Sequence, residues 1–152
     1  MSSSRNTRRI DASTAQVFAL LLDATRYPDW LVGAQAITHV DDTWPAVGSS
    51  FHHRIGVGLA RMPGSTTVAE LETDRLFTLR AGMGLLGEAE VRFVLEPDGD
   101  AHTMLEIDER PAKGVVRLTD RLTGPLVPWM LWGRNHVSMD QLIELAEGSR
   151  PG

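Results

Sequence analysis

The sequence predicts an α+β domain: an antiparallel sheet of about seven strands wrapped round a long C-terminal helix, with two short helices after the first strand. Three observations predict it. The stretch Arg9–Leu31, RRIDASTAQVFALLLDATRYPDWL, reads as the end of a strand, a capped amphipathic helix and a second short turn closing on Trp30. A run of strand-like segments follows. One long apolar helix then spans about Pro125 to Glu147. A sheet wrapped round a terminal helix usually encloses a cavity.

The elements follow in order. Ser4–Ile10 fits a short first strand. Ser13 offers a hydroxyl to cap a helix, and Gln16 completes a capping-box pattern. Val17, Phe18, Leu21 and Leu22 recur at helical spacing, so the helix buries one stripe. Thr25 is placed to cap a second, shorter turn, RYPDWL, with Pro28 near its start and Gly33 at its end. Ala36–Val40 is a strand and Asp41–Gly48 a turn. In the next strand Phe51, His53 and Ile55 share one face. Gly56, Gly58, Pro63 and Gly64 mark a hairpin connection. Ser65–Leu71 and Leu76–Ala81 are strands joined by a turn at Glu72–Arg75. Glu88–Glu96 alternates most cleanly, with Ala89, Val91, Phe93 and Leu95 on one side and charged residues on the other. Pro97–Asp100 turns the chain into a last strand, His102–Asp108. Arg110–Gly124 reads as a loop with one helical turn. The final helix, about 34 Å long at ~1.5 Å per residue, would cross a whole domain before stopping at Gly148.

Composition narrows the function classes. The 152 residues suit one domain, 1–152, with an ordered core of about 5–147. The chain has no cysteine, which excludes disulfides, thiolate ligands and a cysteine nucleophile. Val17–Leu22 is too short for a signal or membrane-spanning segment, so the expected setting is cytoplasmic. A net charge of −5 argues against a nucleic-acid partner, because phosphate neutralisation needs a clustered basic face. Arg5, Arg8 and Arg9 form the one basic cluster, read as a solvated strand edge.

Several motifs carry a chemical reading that their context weakens. Gly82–Gly87 matches G-x-G-x-x-G, but a dinucleotide site needs a helix to start there, and the alternation of Glu88–Glu96 makes a strand. The glycines therefore bend a hairpin. His52 and His53 are adjacent on a strand, so they face opposite ways and cannot share a metal ion. Glu106 and Asp108 share a face about 7 Å apart, as an acid–base pair would, or as the wet side of an antiparallel strand. The second parity, with Thr103, Leu105 and Ile107 inward, is the more apolar. In the C-terminal helix Trp129, Met130, Leu131 and Trp132 are wider than one core stripe. They suit a broad core contact, a subunit interface, or the lid of a cavity in which Asn135 and His136 orient a ligand.

IDASTAQVFALLLDATRYPDWL resembles the opening of the polyketide cyclase/dehydrase branch of the START-related, helix-grip superfamily, often called SRPBCC. Val47-Gly48 before the His52 strand, Arg75-Leu76, Pro97-Asp98-Gly99 and Arg134-Asn135 fit the same order. The resemblance spans nearly the whole chain. It implies a curved sheet of about seven strands gripping the C-terminal helix, with a hydrophobic pocket between them. It implies ligands such as lipids, sterols, polyketides, plant hormones or quinones, and in the aromatase/cyclases an assisted aldol cyclisation.

The leading expectation is therefore a binding domain for a small hydrophobic or aromatic ligand. Its pocket is lined by Trp30, Phe51, His53, Phe77, Leu79, Val91, Phe93, Leu105, Trp132, His136 and Met139. No cofactor or metal is expected, and the chain is read as a monomer or homodimer. A second reading is a cyclase or dehydratase with His53, Arg54, Glu106 or His136 as acid–base groups. A third is an interaction module that dimerises or docks through Trp129 and Trp132.

Overall fold

The computed structural model describes residues 4–30, 34–57, 60–82, 88–113 and 140–148. Strand β1 (Ser4–Ile10) leads into α1 (Thr14–Leu22), a 3-10 turn (Ala24–Arg26) and α2 (Tyr27–Trp30). Six strands follow: β2 (Ala34–Val40), β3 (Ser50–Val57), β4 (Ala60–Glu72), β5 (Leu76–Gly82), β6 (Glu88–Pro97) and β7 (Thr103–Lys113). Helix α3 comprises residues 140–148. The seven strands form one antiparallel sheet in the order β1-β7-β6-β5-β4-β3-β2. β1 and β2 are its two edges, so α1 and α2 carry the chain from one edge to the other.

Ser13 caps α1 as its sequence predicts. Its hydroxyl accepts from the Gln16 N–H, and the Gln16 side chain accepts from the Ser13 N–H at 2.9 Å. The next turn is capped differently. Asp23, not Thr25, accepts the Thr25 N–H at 3.1 Å and the Thr25 hydroxyl at 2.6 Å. A carboxylate is a stronger acceptor than a hydroxyl, so the residue one position beyond α1 takes the cap. Trp44 Nε1 donates to the Leu22 carbonyl at 2.7 Å, tying the end of α1 to the β2–β3 connection.

Two boundaries depart from the sequence reading. Pro63 and Gly64 lie inside β4, opposite Arg54 and His53, rather than in a hairpin connection. The described β4–β5 pairing begins at Ser65 opposite Gly82, and Pro63 is carried in the strand by its pairing with β3. β7 continues to Lys113, converting the first residues of the expected loop after Arg110 into strand opposite β6. Of the helix expected over 125–147, residues 125–139 lie outside the described residues. At Gly82 the glycine reading holds: Gly82 pairs with Glu88 across an antiparallel hairpin.

Three described turns use left-handed backbone, two with glycine, Gly48 at φ +92° and Gly99 at φ +77°, and the β4–β5 turn with Asp74 at φ +59°. The Gly99 turn is clamped by Arg9 Nε, which donates to Asp98 at 2.7 Å and holds that carboxyl below its ordinary range. Arg5, Arg8 and Arg9 do lie on an edge strand, each beside a carboxylate.

Candidate functional site

Sheet register places the inner face. One row across β3–β6 reads Phe51, Thr66, Ala81 and Ala89. The next, across β4–β7, reads Val68, Leu79, Val91 and Glu109. A third reads Leu71, Phe77, Phe93 and Ile107. Residues opposite each other in an antiparallel ladder project to the same side, so these rows form a largely apolar surface. Leu142 and Ala146, four residues apart on α3 and fully buried, join the same core.

Aromatic side chains close one end of this surface. Tyr27 lies 4.8 Å from Trp30 and 5.0 Å from Phe51, centroid to centroid. Trp30 meets Phe93 edge-on at 6.1 Å, and Trp44 meets Phe51 at 5.0 Å and Phe77 at 6.1 Å. These are the tilted and T-shaped arrangements that ring quadrupoles favour. Tyr27 donates its hydroxyl to the Leu21 carbonyl, and burial pushes its pKa upward.

Polar groups on the inner face are few. His53 is 6% exposed, with Nε2 3.1 Å from the Thr66 hydroxyl and its ring 5.4 Å from Phe51. Among the described residues its buried Nδ1 has no partner of hydrogen-bond geometry, and neither has Trp30 Nε1. Burial lowers the His53 pKa, outweighing the Arg54 backbone, which favours the charged ring, and His52 adds to the lowering. A depressed histidine binds its proton more tightly in the unfolded chain, so folding stability falls as pH drops below the ordinary histidine value, near 6.5. His53→Gln is expected to remove that part of the acid sensitivity. Urea unfolding at a series of pH values checks this, and an unchanged difference between wild type and variant across pH 5–8 would refute it.

Glu109, 1% exposed, is a buried carboxylate on the inner face that the sequence reading left only at a strand end. Its signal was present: the parity that turns Leu105 and Ile107 inward carries Glu109 inward two residues later. Asn6, also buried, is its diagonal neighbour through the Asn6–Ile107 and Ser4–Glu109 pairs.

Of the proposed lining residues, Trp30, Phe51, His53, Phe77, Leu79, Val91, Phe93 and Leu105 all belong to this inner core. Trp132, His136 and Met139, with Trp129 and Asn135, lie outside the described residues. Arg54 and Glu106 face the other way from His53. Arg54 is exposed, and Glu106 lies 3.6 Å from Arg5. Asp108 shares the outer face yet is not wet. It is 5% exposed, 3.6 Å from Arg5 and 2.8 Å from Arg110, because the arginines cover it. Among the described residues no three His, Asp or Glu side chains come together in a group that could hold a metal ion. No described helix is long and apolar enough to cross a membrane.

A separate hollow of roughly 660 Å³ lies at the β2–β4 side, lined among the described residues by Thr38, His39, His52, His53, Arg54, Pro63 and Gly64. Thr38, His39, His52, Arg54 and Pro63 are solvent-exposed, so the hollow opens on the outer face, and the buried His53 borders it from the other side of β3.

The sequence model of the polyketide cyclase / dehydrase and lipid transport family matches residues 1–147. The chain belongs to this family. No curated protein matches it. Solved structures with the same fold include the Zhui aromatase/cyclase from Streptomyces sp. R1128, at a TM-score of 0.76 and 11% identity over 95% of this chain and 93% of that one. A protein from Chromobacterium violaceum superposes with a TM-score of 0.74 and 16% identity over 97% and 99% of the two chains. The di-domain ARO/CYC StfQ of the steffimycin biosynthetic pathway matches at 0.66 and 10% identity, over 97% of this chain and 49% of StfQ. At these identities the likeness is one of fold. The polyketide cyclase/dehydrase and lipid transport family thus accounts for the seven-stranded sheet and its crossing helices.

Proposed function

We propose that this chain binds a small hydrophobic or aromatic ligand (lipid-, polyketide- or quinone-like) between the inner face of the sheet and a C-terminal helix running from about Pro125 to Glu147. One observation carries the reading. Two buried nitrogens, Trp30 Nε1 and His53 Nδ1, lack partners among the described residues beside a largely apolar face. Buried polar atoms are normally hydrogen-bonded, because leaving one unsatisfied costs about 1–3 kcal/mol. An oxygen on an apolar ligand would satisfy them. Membership of a polyketide cyclase / dehydrase and lipid transport family and the aromatase/cyclase fold of its neighbours support the same class of ligand. In this reading Trp132, His136 and Met139 complete the lining, and the chain acts as one cytoplasmic domain, monomeric or homodimeric.

Displacement of a fluorescent fatty acid, with native mass spectrometry of protein purified from its host, tests the proposal. A hydroxylated aromatic ligand should bind His53→Leu roughly tenfold more weakly, the equivalent of one lost hydrogen bond of about 1.4 kcal/mol. Absence of any bound or displaceable apolar molecule would sink the proposal.

A cyclase or dehydratase activity is the second reading, favoured by the placement of His53 and Glu109 on one face. His53 would then act in proton transfer at a ligand oxygen, and Glu109 would be the inner-face carboxylate. Turnover that survives both His53→Gln and Glu109→Gln on a confirmed substrate would exclude these two groups.

A further inference from the structure

The outer hollow carries chemistry that the inner face does not use. On that side of the sheet His39 and His52 stand opposite each other, their rings 5.8 Å apart. Arg54 follows two residues along β3, about 7 Å further on the same face. Its cross-strand neighbours are Ala36 on β2 and Pro63 on β4, and the β4 neighbour of His52 is Ser65. None of them is acidic. A register shift between Ile37 and His39 brings the extra residue, Thr38, to the rim with its hydroxyl.

Charge makes this grouping unusual for the chain. The protein carries a net charge of −5, and Arg5, Arg9, Arg26 and Arg110 each sit against a carboxylate. Arg54 forms no such pair among the described residues. The acid at the rim, Asp41, is already engaged. Its Oδ2 accepts the Ser50 N–H at 2.9 Å, and its Oδ1 lies 3.4 Å from His39 Nε2. Among the described residues the hollow therefore presents a guanidinium fork, two imidazoles and a hydroxyl, and the nearby Asp41 lies on His39 rather than on Arg54.

We propose that the β2–β4 hollow is an anion site that takes a phosphate monoester, with Arg54 donating to two phosphate oxygens and His39, His52 and Thr38 donating to the rest. A planar guanidinium matches tetrahedral oxyanions bidentately, and a ring N–H or hydroxyl completes the shell. The same group occurs on soluble phosphate esters and on the headgroup of phosphatidic acid. Arg54, His39 and His52 project away from the apolar ligand surface, and His53, which also borders the hollow, is shared with that reading but donates nothing to the anion.

Two measurements test it. Amide shifts of labelled protein are followed on titration with phenyl phosphate, and co-sedimentation is measured on phosphatidylcholine vesicles with and without phosphatidic acid. Saturable shifts at residues 38–40, 52–54 and 63–64 are expected. Arg54→Gln should weaken them roughly tenfold, whereas Arg26→Gln, an exposed arginine elsewhere, should leave them unchanged. Sedimentation that requires phosphatidic acid and is lost in Arg54→Gln would also support the site and assign it to the headgroup. Shifts that do not saturate, or that Arg54→Gln leaves as strong as in wild type, would overturn it.

Discussion

Replacing Phe77 by alanine is expected to cost about 3–5 kcal/mol of stability, a large share of the roughly 5–15 kcal/mol that a domain possesses. Phe77 is fully buried at the middle of the sheet. It touches Phe18 from α1 at 6.1 Å, Trp44 from the β2–β3 connection at 6.1 Å and Phe93 from β6 at 6.5 Å. One ring thus joins the helices, the connection and the sheet. Truncation removes its transfer energy and leaves a cavity whose walls are held by other rings and cannot collapse fully. Urea unfolding should show a lower midpoint at an unchanged slope, and Phe77→Leu, which keeps more volume, should lose less. A loss below about 1 kcal/mol for the alanine variant would mean that the neighbours refill the space.

Leu142→Ala is expected to cost about 2–5 kcal/mol and to loosen α3 from the sheet. Leu142 and Ala146 are fully exposed to the core and not to solvent, whereas Glu144, between them, is exposed. The described part of the helix therefore holds to the core through Leu142 and Ala146, with Ile143 and Leu145 packed beside them, and is joined by Arg8 3.8 Å from Asp140 and by the Asp11 N–H donating to Glu147 at 3.0 Å. An exposed ion pair such as Arg8–Asp140 contributes at most about 1 kcal/mol and the single Asp11–Glu147 hydrogen bond about 1.5–3 kcal/mol at most, so the buried leucine is the larger part of the attachment. Amide exchange over 140–148 should accelerate in Leu142→Ala and stay at the wild-type rate in Glu144→Ala. Equal protection in both variants would show that the contacts at the ends suffice.

Local patterns were a good guide wherever one physical rule acted alone. Alternation of period two in Glu88–Glu96 placed Ala89, Phe93 and Leu95 inside, and all three are buried. The same rule separated His53, buried, from His52, exposed. The capping box at Ser13 and Gln16 formed as read. Where two local rules competed, the sequence misled. Proline and glycine at Pro63 and Gly64 suggested a turn, but pairing with Arg54 and His53 of β3 carries the strand through both. Asp108 read as a wet carboxylate, yet Arg5 arrives from a strand about a hundred residues earlier and covers it.

The sequence by itself determined the α+β class, the strand count, the capped helix after β1 and the family, because each rests on short-range periodicity and on residue order along the chain. Only the tertiary structure decided which polar groups keep company. It put Glu109 on the same face as His53, left Trp30 Nε1 and His53 Nδ1 without partners among the described residues, and turned Arg54 outward beside His39 and His52. These relations depend on the register between strands far apart in sequence. Register is set by the collective burial of one face, and no single segment encodes it.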